Sequence, residues 1–583
     1  MKKTFLLTVI FCTILLSGCP KNAETPQKTT VTVETHTSGN VYLVKINNSS
    51  TKTIKASNTG KVESTKDRAA DKEYPVLTDL HDDPFIRQQN QRITDALERV
   101  DSSRAAGDEI DLNHIKNGVS DIEYKTIYSK TDEDDETVYK RKFHTFSERK
   151  PNSEILEGIS NEINATCYYA GEHCYVFGDD TEIDQAKKEK GINLNYDSYS
   201  EHAETSENSF FKLGKEFDRC YELETAIIGD PKYDKYRDGI FVPCNEKVII
   251  FVSDLYGDAE KDQDSGVVGY FYNGDMYNQE FVDKFVNIKQ VGLKTQAVDE
   301  DDPAYVHSNE ASMFYVDSKF LTTHKETVYT TLVHEFNHMI NFITKTLKYM
   351  TANPSVTVQN MPNHMCDTWF TEMLAMTTED MFCDFMNTKF DNSPMARLPF
   401  FDYYYHYGFR NWDSYTVTEN RDLDSIYVSY ANTYAFGAFL ARNYGGTDFI
   451  KKIAQSEYVN EQAIDNALKE VGSSYKEALK NFALVLINTA APNAAQLAQT
   501  GSKYYYSLNR SAKKTGEELY FNPINLNFTV GNNEYTPQIY NKNKSVDLGP
   551  NAFSVHHVGF NIKSFELTAN TSDLMSYYLV EFN

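Results

Sequence analysis

The segment from Val328 to Leu347 constrains this chain more than any other. On a helix its apolar residues Val328, Leu332, Val333, Phe336, Met339, Ile340, Phe342, Ile343 and Leu347 fall on nearly every side. Such a helix is buried, so a core must be built around it. Midway along it stands His334-Glu335-Phe336-Asn337-His338. Two imidazoles four residues apart lie on one face, a turn from each other, where both can reach one ion. Burying two histidines and a glutamate without partners is costly, and a metal ion satisfies all three together. The plain alternative is a hydrogen-bonded pair of core histidines.

Zinc in a structural site takes four protein ligands, whereas in a catalytic site it takes three and leaves one position for water. A third ligand should therefore lie near in space. Glu372, in the helix-forming segment Trp369-Phe-Thr-Glu372-Met-Leu-Ala-Met-Thr-Thr-Glu379-Asp380, is the leading candidate, and His364 and Asp367 are its rivals. Trp369, Glu372, Met376 and Glu379 share one face of that helix. Glu379 can then orient a ligand histidine, or it is a solvated carboxylate. Glu335 need not touch the metal: beside the first histidine, its carboxylate can take a proton from a water whose pKa the metal lowers to about 7.

A Glu in a Trp-x-x-Glu setting downstream of His-Glu-x-x-His resembles the gluzincin peptidases, and among them the hyicolysin-like M30 family. The likeness rests on Ser308-Asn309-Glu310 with the strand after it, on His334 to Phe342 and on Trp369 to Asp380, within roughly Val248 to Gly446. That family carries Asn before its ligand Glu and Gly after it, where this chain has Thr371 and Met373. The resemblance implies an α+β, zincin-like metallopeptidase with a mixed β-sheet, an active-site helix and a helical second subdomain. It also implies Zn2+ held by His334, His338 and Glu372, with Glu335 as general base and proteins or peptides as substrates. Gluzincins supply an oxyanion donor as well, often a Tyr upstream of a helix ending in Gly. Tyr430 stands at the matching place before Gly445-Gly446, with Tyr434 as its rival and packing as the alternative role. An aminopeptidase of the same clan would carry a Gly-x-Met-Glu-Asn-like element before the helix, and none is visible; a catalytically silent surface-binding lipoprotein would have no need of Glu335.

The rest of the chain frames this centre. Lys2 and Lys3 precede an apolar run from Phe5 to Leu16, a secretory signal too short to span a bilayer. Leu16-Ser17-Gly18-Cys19 resembles a bacterial lipobox, which implies cleavage after residue 18 and a lipid on Cys19. The expectation is an exported, membrane-anchored lipoprotein on the periplasmic or cell-surface side. Residues 19–75, rich in Thr, Asn, Ser and Lys, read as a flexible tether with one possible strand at Val41 to Ile46. A peptidase unit follows over 76–510, β-rich over 76–325 and helical over 326–510, and 511–583 reads as a β-rich C-terminal region. A formal charge of -26, from 58 basic and 84 acidic residues with no Lys/Arg-rich cluster, speaks against a nucleic-acid partner.

Export permits disulfides. Setting aside Cys12 and Cys19 leaves Cys167, Cys174, Cys220, Cys244, Cys366 and Cys383. Cys167 and Cys174 lie symmetrically about Ala170-Gly171, as cross-strand partners of a hairpin would, and two reduced, buried thiols are the alternative. Val248 to Ser253 reads as a buried central strand, and Met313 to Val316 as a strand that can pair with an extended substrate. Asp258, Asp262 and Asp264 can hold calcium or form a solvated turn, and His556-His557 reads as packing.

Overall fold

A computed structural model describes residues 28–34, 40–57, 77–78, 140–146, 160–181, 209–233, 240–244, 247–255, 266–291, 294–300, 302, 305–353, 365–410, 412, 425–490, 510–514, 517–522, 524, 526–530, 533–560, 564–570 and 574–582. The signal, Cys19, the acidic loop of Asp258, Asp262 and Asp264, and His364 lie outside these residues. Mixed helices and sheet make the fold α+β, and no described helix is long and apolar enough to cross a membrane. Two compact units form, residues 1–65 with 539–583, and residues 66–538.

The first unit corrects the tether. Strand Asn40–Asn47 lies between Phe553–Phe560 and Met575–Phe582, antiparallel to both. Lys28–Glu34 pairs with Ser564–Asn570, and Ile54–Ala56 with Val546–Leu548. Val41 and Leu43 pack with Val558, Phe565, Leu567, Tyr577 and Leu579. The partners lie some five hundred residues downstream, so a local reading shows the strand at Val41 to Ile46 but not what it pairs with. At the end of that strand the Asn47 amide donates to the carbonyls of Lys52, Leu548 and Gly549 at 2.7, 3.0 and 2.9 Å. His556 is packing, as expected. Its Nε2 lies 2.8 Å from Ser554 Oγ and its Nδ1 2.9 Å from the Asn541 carbonyl, and burial pushes its pKa down to about 3. His557 is exposed and contacts Asn40 Oδ1 at 3.1 Å.

The second unit is built on a six-stranded sheet: β1 (Lys140–Phe146), β2 (Ser160–Ala170), β3 (Cys174–Asp179), β4 (Val248–Ser253), β5 (Gly269–Tyr270) and β6 (Met313–Asp317), in the spatial order β5-β6-β4-β3-β2-β1. β1, β2 and β3 form an antiparallel meander. β4 is parallel to both β3 and β6 and wholly buried, which is why Val-Ile-Ile-Phe-Val shows no polar alternation. β6 lies inside the sheet, paired along its length to β4 and at Tyr315 and Val316 to β5, so it is not the edge strand expected to pair with a substrate backbone. The edge is β5, two residues long. A Cβ at Gly269 would meet Thr331 Cγ2 at 2.7 Å, so only glycine lets this edge approach the helix bearing Thr331 so closely.

Cys167 and Cys174 are corrected as well. A bulge between Cys167 and Tyr169 shifts the register, Cys167 stands opposite Phe177, and Cys174 closes the turn by accepting from Gly171 N at 2.9 Å. Both are buried and outside any disulfide, as are Cys244 and Cys383, while Cys366 is partly buried. The hairpin is instead anchored by Asp218, which accepts from Tyr169 Oη, Glu172 N and His173 N at 2.5, 3.0 and 2.9 Å.

Four helices position the centre: α1 (Ser209–Ile227), α2 (Lys325–Asn341), α3 (Thr368–Cys383) and α4 (Ser425–Tyr444). α1 covers the outer side of α2, where Phe217 and Tyr221 pack on Phe336 at 4.9 and 5.3 Å. The loop before β6 is held by the residues that carried the family likeness. Ser308 Oγ donates to the Tyr277 carbonyl at 2.6 Å, and Asn309 donates to Asp275 Oδ1 through its backbone and side-chain nitrogens at 3.0 and 2.8 Å. Tyr315 Oη donates to Asp275 Oδ2 at 2.6 Å, and burial still pushes that carboxyl up to about 7. The hairpin Arg510–Lys514 and Glu517–Phe521 belongs to this unit, so the C-terminal share of the first unit starts at Ile539 and not at residue 511.

Candidate metal centre

His334 and His338 stand one turn apart on α2, with their Nε2 atoms 3.0 Å apart. From α3, Glu372 brings Oε2 to 3.3 Å from His334 Nε2 and Oε1 to 3.4 Å from His338 Nε2. All three side chains are buried, and Glu372 is 0% exposed. One ligand atom from each residue lies within 4.8 Å of the others, so the group could hold a metal ion.

The donor chemistry points the same way. His334 Nδ1 lies 2.5 Å from Glu379 Oε1, and a carboxylate there accepts, so the ring proton sits on Nδ1. His334 Nε2 then presents a lone pair toward the Glu372 carboxylate. Acceptor facing acceptor in a buried place is repulsive, and a cation among them turns the repulsion into coordination. Glu379 is thus placed where it orients a candidate ligand, on the same α3 face as Glu372.

Glu335 is 2% exposed and outside the three-residue group. It occupies the side of α2 toward the sheet edge, its Cγ 3.5 Å from where a Cβ on Gly269 would sit. Asp367 is drawn elsewhere, accepting from Trp369 Nε1 at 3.0 Å. Tyr430 is buried on α4, with the Arg397 guanidinium 4.6 Å from its ring centroid and Trp412 edge-on at 4.9 Å. Tyr434, its rival, donates to Asp380 Oδ2 at 3.0 Å, which commits it to a buried ion pair.

Three features escaped the sequence. Asn337, inside the motif, donates to Thr378 Oγ1 at 2.9 Å and ties α2 to α3. Asp380 pairs with Arg442, both fully buried. Glu224 on α1 is 0% exposed, and burial holds its carboxyl well above the usual range. A glutamate and an arginine on the apolar sides of their helices were the available signals.

A family model described as Peptidase M30 matches residues 205–506, which contain every converging side chain above. The neutral metalloprotease ShpI of Staphylococcus hyicus is similar at 27% identity over 285 residues, 47% of this chain and 52% of that protein. The match thus spans about half the length of this curated relative.

Proposed function

Because the chain belongs to the peptidase M30 family, we propose that it is a zinc-dependent endopeptidase acting on proteins or peptides. The observation that carries this reading is the convergence of His334, His338 and Glu372, each offering one ligand atom within 4.8 Å of the others in a buried place. His334, His338 and Glu372 would hold the ion and leave a position open. When bound, zinc lowers the pKa of a water to about 7 and polarises the scissile carbonyl. Glu335 accepts a proton from the attacking water and delivers it to the departing amine nitrogen as the C–N bond breaks. Glu379 keeps the His334 proton on Nδ1, so that Nε2 stays a donor to the ion.

Purified protein is expected to contain one zinc per chain and to cleave casein. Chelation should abolish cleavage, and added zinc should restore it. Cleavage that survives complete metal removal, or a zinc-loaded chain with no proteolysis, would overturn the reading. The same proposal places the protein outside the cytoplasm, held to a membrane by a lipid on Cys19. Cys19→Ala is then expected to move it from the membrane fraction to the soluble one; an unchanged distribution removes the anchor.

A further inference from the structure

We infer that the buried Asp380–Arg442 pair is a positioning device for the metal ligands, acting by fixing the roll of α3 about its own axis. The inference rests on the metal-centre reading given above. Successive residues on a helix project about 100° apart, so Glu379 and Asp380 grip different neighbours from adjacent positions. Glu379 faces α2 and accepts a hydrogen bond from His334 Nδ1 at 2.5 Å. Asp380 faces α4, where Arg442 donates Nη1 to Oδ2 at 2.6 Å and Nη2 to Oδ1 at 3.0 Å, a two-pronged arrangement with a defined plane. Tyr434 Oη adds a bond to Oδ2 at 3.0 Å. Asp380, Arg442 and Tyr434 are all fully buried, so no solvent softens the grip.

Arg442 is held in turn from its far side. Its Nε and Nη2 donate to the Asn522 carbonyl at 3.0 and 2.7 Å, and Phe521 lies under the guanidinium at 5.3 Å. The brace therefore reaches residues beyond the family match, which ends at 506. The Asn337–Thr378 bond ties α3 to α2 on one side, and the Asp380–Arg442 pair holds it to α4 on another, which opposes roll.

The geometry makes roll matter. A helix with its side chains is about 10–12 Å across, so a roll of about 10° carries the Glu372 carboxylate through about 1 Å. Metal–ligand distances tolerate about 0.2 Å. An α3 free to roll by even a few degrees would present Glu372 out of reach of an ion held by His334 and His338.

The test compares zinc dissociation constants, and the visible spectrum of the cobalt-substituted protein, for wild type, Asp380→Asn, Tyr434→Phe and Leu468→Ala. Tyr434→Phe removes one bond to Asp380 and leaves the ion pair, so it keeps the brace testable if Asp380→Asn does not fold. Leu468 is a fully buried residue on the helix Asn460–Glu470 and stands for general loss of stability. Asp380→Asn is expected to weaken zinc about 10- to 100-fold and to alter the cobalt spectrum, Tyr434→Phe to weaken zinc a few-fold, and Leu468→Ala to lower the melting temperature with zinc affinity intact. Unchanged zinc affinity in a folded Asp380→Asn or, should that variant not fold, in Tyr434→Phe overturns the positioning role. So does an equal loss of affinity in Leu468→Ala. A wild type that binds no zinc overturns the metal-centre reading itself, and the inference falls with it.

Discussion

Glu335→Gln is expected to leave zinc bound and casein almost uncut, with kcat lower by about 10²- to 10⁴-fold, the range typical for loss of a positioned general base. The change is isosteric, and Glu335 stands outside the His334, His338 and Glu372 group, so the metal should be retained. An amide cannot accept a proton from water, and nothing else in the proposed step is altered. Metal analysis and casein turnover on the same sample decide the matter: full activity with zinc present would remove Glu335 from the mechanism.

Glu372→Gln should reverse sign with metal. In the presence of chelator the variant is expected to melt higher than wild type, because a neutral amide at a site that is 0% exposed replaces a carboxylate facing the imidazole lone pair of His334, and its NH2 can donate to that nitrogen. With zinc at a thousand times its Kd, wild type gains about 4 kcal/mol by mass action. The variant, lacking the charged ligand, should gain far less, so the order of melting temperatures inverts. A variant that zinc stabilises as much as it does wild type would exclude Glu372 from the ligand set.

What could be read in the chain follows a physical pattern. Helical period placed His334 and His338 on one face of α2, and Glu372 and Glu379 on one face of α3, because those relations are local. The wholly buried β4 was legible for the same reason. Met313 to Val316 reads as a strand, but whether it lies at an edge depends on β5, a two-residue strand too short to leave a pattern. The cysteine symmetry about Ala170-Gly171 fails because the turn closes at Glu172-His173 instead, which sets Cys174 opposite Gly171 and Cys167 opposite Phe177. Asp380 and Arg442 meet across 62 positions, and nothing at either residue names the other. The strand at Val41 to Ile46 was visible, yet its partners were not.

That last pairing has a consequence for the order in which the molecule assembles. Asn40–Asn47 leaves the ribosome long before Phe553–Phe560 and Met575–Phe582, between which it sits. Joining ends across a disordered loop of that length costs about 5 kcal/mol of chain entropy, since the cost grows as (3/2)RT ln n. Folding of residues 66–538 first would compact the intervening chain and shrink that search. Until residues 553–582 are made, Val41 and Leu43 lack the apolar partners they have in the folded unit and must stay out of wrong pairings. A strand made early in synthesis is therefore among the last to reach its native place.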